Sequence, residues 1–196
     1  MSIYAFIGPS GAGKSFLVKQ LSALTSSPAF FEGEIGSIDN DILESIENAT
    51  NPYKRYKYFC DRFSNSLTAA HKISISTKLD IFIDGSFENE LVILESEKPT
   101  NYLQIKKMIL QVTEKTPKAD YVVYLRVSET RLLSNIKRRS RSKGEIPDDC
   151  VLNRKKSFED FVSKTPYIKV IDVDKINFTH PENLDLIIKK LKNFSI

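Results

Sequence analysis

A chain of 196 residues, 41% hydrophobic and 28% charged, is long enough for one α/β domain with a single core and carries no apolar run long enough for a membrane span. The net charge of +4 is modest, with much of the excess between residues 137 and 143, so any hold on a polyanion is local. Cys60 and Cys150 lack metal-ligand spacing and the chain opens on strand, which argues against zinc and against a secretion signal and makes the expected location cytoplasmic.

Residues 3–7 read as a buried strand and 16–24 as a helix, and Gly8-Pro9-Ser10-Gly11-Ala12-Gly13-Lys14-Ser15 between them is a complete G-x-x-x-x-G-K-[ST] phosphate loop. The glycines let backbone N–H groups converge on phosphate oxygens where a helix begins, and the helix dipole favours an anion there. Gly8, Ser10, Gly11, Ala12, Gly13, Lys14, Ser15 and Phe16 are therefore expected to bind ATP, with Lys14 at the β- and γ-phosphates and Ser15 on Mg²⁺.

Residues 29–38 have room for a short strand whose end carries Glu32 and Glu34. A kinase with a hydroxyl acceptor uses such a carboxylate to orient the hydroxyl and take its proton; position favours Glu34 and leaves Glu32 open. Helices are predicted over 41–47 and 53–74, punctuated by Ser26-Ser27-Pro28 and Asn51-Pro52. The second is crowded with Tyr53, Tyr56, Tyr58, Phe59 and Phe63, mostly core by their density, while Asp61, Tyr58 and Arg62 are candidates to bind the substrate.

A strand over 79–83 ends at Asp84, where a parallel sheet presents its ligand-facing edge, so Asp84 is expected opposite Ser15 on Mg²⁺. Residues 98–115 are helical up to Pro117, 121–125 form a strand, and 129–142 a helix that ends in Lys137-Arg138-Arg139-Ser140-Arg141-Ser142-Lys143 before Gly144. Arginines there can fold over a transferring phosphate as a lid, with Arg139 and Arg141 neutralising its charge. A helix over 152–162, a strand over 167–173 and a helix over 181–192 complete the chain, without an internal repeat. Strands alternating with helices imply one P-loop domain over 1–196, a three-layer sandwich with a parallel sheet of about five strands between helices and a lid at about 137–147.

Several stretches resemble the deoxynucleoside kinases, P-loop enzymes that phosphorylate the 5′-hydroxyl of deoxynucleosides. Tyr124-Leu125-Arg126-Val127-Ser128 and Ile136-Lys137-Arg138-Arg139-Ser140-Arg141 are similar to that family's Y-L-R-x-S strand end and I-x-x-R-x-R lid. Lys169-Val170-Ile171-Asp172-Val173-Asp174 resembles its V-L-D-x-D strand, whose loop flanks the adenine of ATP. Glu34-Ile35 falls at its E-P-V, Asn51-Pro52 through Phe63 at its D-P-x-x-W and Q-x-Y helix, and Asp84-Gly85-Ser86 at its E-R-S or D-R-S. The departures cluster around the acceptor: Gly85 replaces an arginine, Asp61 a glutamine, and Lys143 and Gly144 two lid glutamates, leaving Glu145 one residue late for the sugar hydroxyl. The resemblance implies ATP-dependent phosphoryl transfer to a (deoxy)nucleoside or related nucleotide, without a membrane and with a homodimer left open.

The loop spelling is also that of guanylate kinases, but their Arg- and Thr-rich segment is missing from 25–60. A nucleoside monophosphate kinase, thymidylate-like or guanylate-like, is the nearest alternative, in which Arg55 or Arg62 would grip the acceptor phosphate. A kinase acting on a modified base or nucleic acid is a further one, suggested by the basic lid. A degenerate kinase acting as a nucleotide-dependent binding module is disfavoured by Lys14, Ser15 and Asp84 together.

Overall fold

A computed structural model describes residues 1–32, 38–48, 50–139 and 147–194. Five strands, β1 (Ile3–Ile7), β2 (Ala29–Phe30), β3 (Ile81–Asp84), β4 (Tyr121–Arg126) and β5 (Lys169–Asp172), pair in the order β2-β3-β1-β4-β5, all parallel. Every residue of β1 is buried, as expected for a strand covered on both faces. From β1 the chain goes out to β2 at one edge, returns to β3 beside β1, and crosses to β4 and β5 on the other side, so connections leave β1 in both directions and its C-terminal end opens the crevice in which such sheets take ligands.

Eight helices accompany the strands among the described residues: α1 (Lys14–Thr25), α2 (Asn40–Glu47), α3 (Pro52–Thr77), α4 (Phe87–Glu97), α5 (Tyr102–Lys115), α6 (Glu129–Arg139), α7 (Asp148–Ser163) and α8 (Pro181–Asn193). Leu17, Leu21, Leu132, Ile136, Ile187 and Leu191 from α1, α6 and α8 pack with β-sheet residues in one cluster. Tyr56, Phe59, Phe63, Leu94, Ile105 and Ile109 from α3, α4 and α5 form another with Ile3, Ala5, Ile81 and Ile83. Alternate residues of β1 thus feed opposite layers, which makes the architecture the expected three-layer α/β sandwich.

Local chemistry sets the boundaries. Asn51, at φ 40°, accepts the Lys54 N–H with its side chain and Pro52 follows at the first helical position, so α3 starts a residue ahead of the predicted helix. Asp148 and Asp149 start α7 just after Pro147, four residues ahead of the predicted 152, because carboxylates suit a helix N-terminus. Helix α5 begins at Tyr102 rather than at 98, where Lys98 instead closes α4 at φ 43°. Helix α4 itself has no counterpart among the elements read from the sequence. Among the described residues no helix is long and apolar enough to cross a membrane.

Candidate active site

The phosphate loop leaves β1 at the crevice and turns into α1. Gly11 and Gly13 take φ of 87° and 91°, conformations that side chains rarely adopt, and the Ala12 N–H closes the turn onto the Pro9 carbonyl at 3.1 Å. Lys14 is buried and folded back, its Nζ donating to the carbonyls of Gly8 at 2.8 Å and Pro9 at 3.4 Å.

Two uncharged amides grip the loop from opposite walls. On α4, Asn89 Oδ1 accepts the Gly8 N–H at 3.2 Å; on α6, Asn135 Nδ2 donates to the Gly11 carbonyl at 2.9 Å. Helix α6 lies so close that a Cβ on Gly11 would stand 2.8 Å from Ile136 Cγ1 and 3.0 Å from the Leu132 carbonyl. Arg131 of α6 donates to the carbonyls of Val173 and Ile176 and lies 5.9 Å over the Phe178 ring, which in turn stacks on Phe16. The strand ends are stitched as well: Arg126 makes a two-pronged ion pair with Asp172, and Asp174 accepts the Ser128 N–H at 2.7 Å. These pairs tie β4 to β5 and its end, and Arg131 holds the segment that leads from there into residues 177–179.

A cavity of about 660 Å³ runs from that loop across the crevice. The phosphate loop, Asn89, Arg131, Asn135 and residues 177–179 line one part of it, and Glu32, Arg55, Phe59, Glu90 and Arg154 another. Asp84 lies between, buried at the end of β3 beside Phe6, and its Oδ1 has no hydrogen-bond partner among the described residues. The β2–β3 register, Phe30 opposite Ile83, carries Glu32 to the level of Gly85, where a Cβ would stand 3.6 Å from Glu32 Oε2. The same Cβ would stand 2.6 Å from the Phe63 ring, so Phe63 occupies the space into which a side chain at 85 would have to grow.

Glu90, on α4, is fully buried. Burial, reinforced by the negative charge of Glu32 and opposed by Arg55, pushes its carboxyl up to about 8. Behind the cavity wall the Glu97 carboxylate accepts from Arg55, from the Tyr56 hydroxyl at 2.9 Å and from Arg154. Burial raises the Glu97 carboxyl, but the two guanidinium groups outweigh it and hold it below the usual range.

Gly8, Ser10, Gly11, Gly13, Lys14, Ser15, Phe16 and Asp84 line this one cavity, and Ala12 is buried behind the loop's turn. Asp61, Tyr58 and Arg62 do not line it. Helical phase turns them away: Asp61 is paired with Lys57 on an open face with its side chain 51% exposed, and Arg62 donates to the Tyr58 hydroxyl at 2.8 Å. The face of α3 that enters the cavity carries Arg55 and Phe59, one turn apart. Glu34, Arg141 and Glu145 lie outside the described residues, as does the side chain of Arg139, which ends α6. Asn89, Glu90, Glu97 and Arg154 were not singled out in the sequence; the signal available was Ser86 followed by Glu88 and Glu90, a helix start rich in acid.

Residues 6–195 match the family model described as deoxynucleoside kinase. Three solved structures of deoxyadenosine kinase from M. mycoides align along almost the whole chain. The one with products dCMP and a flexible dCDP bound has a TM-score of 0.77 at 21% identity, covering 97% of this chain and 99% of that one. The dCTP-bound structure scores 0.76 at 22% identity, with 97% and 99% covered. The dATP-bound structure scores 0.76 at 22%, with 98% and 100% covered. At these identities the likeness carries the fold. None of the curated proteins compared with the chain matches it.

Proposed function

We propose a division of labour within this chain, which belongs to the deoxynucleoside kinase family and is a P-loop kinase that transfers a phosphoryl group from ATP to a hydroxyl of a (deoxy)nucleoside or related nucleotide. The observation that carries the proposal is the continuity of one cavity from the phosphate loop to a wall bearing Glu32 and Glu90. A donor phosphate and an acceptor hydroxyl can therefore meet without crossing solvent, and positioning supplies much of the rate in such transfers.

The backbone N–H groups of Gly11, Gly13, Lys14 and Ser15, where the loop turns into α1, receive the triphosphate, and Lys14 exchanges the Gly8 and Pro9 carbonyls for the β- and γ-oxygens. The donor base lies by Arg131 and residues 177–179. Ser15 and Asp84 offer hard oxygen ligands, and the orphaned Asp84 Oδ1 fits a cation that draws its other ligands from phosphates and water. Ser15 and Asp84 would hold Mg²⁺, which would supply positive charge against the triphosphate.

Of the two carboxylates read from the sequence, Glu32 takes the role of base, since it reaches the cavity beside Asp84; it orients the acceptor hydroxyl and accepts its proton. Glu34 is the competing candidate. Arg139 and Arg141 of the lid cover the transferring group, and Glu145 contacts the acceptor sugar. The acceptor itself lies against Arg55, Phe59, Asn89, Glu90 and Arg154 rather than against Asp61, Tyr58 and Arg62.

The test is label transfer from γ-labelled ATP with Mg²⁺ to the four deoxynucleosides, their 5′-monophosphates and a DNA oligonucleotide. Label on at least one nucleoside is expected; label on monophosphates or DNA alone overturns the assignment. Against the active acceptor, Glu32→Gln should lower kcat about 10² to 10⁴-fold and Glu34→Gln much less. The reverse ranking returns the base to Glu34.

A further inference from the structure

The far wall of the cavity holds two arginines from distant parts of the chain, Arg55 on α3 and Arg154 on α7, with side chains 7% and 14% exposed. Each gives an Nη2 hydrogen to a different oxygen of Glu97, which ends α4 and does not itself line the cavity. Tyr56 adds its hydroxyl to the Glu97 oxygen that Arg55 uses, and the Arg55 guanidinium lies 4.7 Å over the Tyr56 ring. A carboxylate thus holds both guanidinium groups from behind. A guanidinium has five N–H donors in a fixed fork and no acceptor, so the hydrogens not spent on Glu97 can only meet something that accepts. Glu90, beside both arginines, offers them little compensating charge at neutral pH, because burial favours its protonated form.

We propose that Arg55 and Arg154, aimed by Glu97, form a selectivity element that recognises hydrogen-bond-accepting oxygens of the acceptor, either base carbonyls or a phosphate. The proposal rests on the placement of the acceptor at this wall. Arg55 and Arg154 touch the acceptor; Glu97 is a positioning residue that acts through them. A pure structural bolt between α3, α4 and α7 would have no need to place both guanidinium groups on the cavity surface. The element also sets the polarity of the wall: it offers donors, whereas Asp61, the residue at the family's glutamine position, would have offered acceptors on the solvent side of the same helix.

The experiment is calorimetric titration of thymidine and deoxyguanosine, which carry base carbonyls, deoxyadenosine, which carries none, and dTMP and dGMP, into the full chain and into Glu97→Gln, Arg154→Gln and Arg154→Lys. A non-hydrolysable ATP analogue serves as the control for the donor end. We expect the best-bound compound to lose about tenfold or more in Kd in Glu97→Gln and Arg154→Gln. Arg154→Lys should restore part of that loss, and the ATP analogue should bind within about twofold of the unsubstituted chain in all variants. Losses for thymidine and deoxyguanosine but not deoxyadenosine assign the contact to base carbonyls; losses confined to dTMP and dGMP assign it to phosphate. Unchanged Kd values together with a lowered melting temperature would make the trio a structural bolt and overturn the proposal, as would the absence of binding by all five compounds. Failure of label transfer while these binding losses persist would instead count against the phosphoryl-transfer roles.

Discussion

Glu90 is a carboxyl held where its charged form is disfavoured. Its folded carboxyl is raised from 4.5 to about 8, so between those values the folded chain keeps a proton that the unfolded chain has released. Stability from this group is complete below about 4.5 and is lost as pH rises toward 8, with each unit worth about 1.4 kcal/mol at most. Glu90→Gln removes the titration while preserving shape. Melting temperatures of the two proteins should therefore diverge progressively from pH 5 to pH 8, with the variant the more stable at the upper end. Parallel curves would mean that Glu90 is already ionised in the fold. Lys14→Ala belongs to the same scale: removing the ammonium proposed to meet the β- and γ-phosphates should cost turnover about 3 kcal/mol or more and leave the far strands folded. Retention of more than about a tenth of kcat would dismiss Lys14 from the transfer.

At the scale of elements, α6 and the phosphate loop are in direct backbone contact, and Gly11 is what permits it. An added Cβ would meet Ile136 and Leu132 in an element that has no slack, at a φ of 87° that costs about 1 to 2 kcal/mol by itself. Gly11→Ala is expected to destabilise by about 2 to 4 kcal/mol in total, read from denaturant unfolding, and to raise the KM for ATP because α6 must move off the loop. Normal stability would show that the helix can retreat freely. Protease cleavage near Gly144, which follows the lid arginines, should slow when ATP and Mg²⁺ are bound, because Arg139 and Arg141 are proposed to close on the phosphates. Equal cleavage with nucleotide demonstrably bound would leave the basic segment as a static surface. The phosphate loop and the strands beside it were legible because each is contiguous: one stretch of eight residues spells the loop, and β1 reads as an unbroken apolar run. Helix α4 was not. Its middle, Leu91-Val92-Ile93-Leu94, is apolar on every side and rich in β-branched residues, so no 3.6-residue period emerges from it. With α4 unread, Asn89, Glu90 and Glu97 could not be placed. On α3 the phase was not legible, since aromatic residues at nearly every turn mark several faces at once, and only packing decides that Arg55 and Phe59 line the cavity while Asp61 does not.

For the whole molecule, the order β2-β3-β1-β4-β5 brings residues as distant in the chain as Gly8, Glu32, Asp84 and Asn177 to one edge of the sheet. That convergence is fixed by strand register and helix packing, which pattern reading along the chain reaches only as an expectation of fold class. The two amide clamps on the phosphate loop, Asn89 at Gly8 and Asn135 at Gly11, have a bearing on how the molecule answers to salt. Mobile ions screen forces between charges and leave hydrogen bonds between uncharged groups almost untouched; at about 1 M salt the screening length is down to about 3 Å. The loop's shape therefore rests on fastenings that ionic strength does not loosen, while its attraction for a polyanion rests on charge. Raising salt should increase the KM for ATP severalfold and leave kcat at saturating ATP and the melting temperature nearly constant. A fall in kcat parallel to the loss of affinity would mean that charge, not the amides, holds the loop in its working form, so that the enzyme's sensitivity to salt is confined to affinity only if the neutral clamps do the holding.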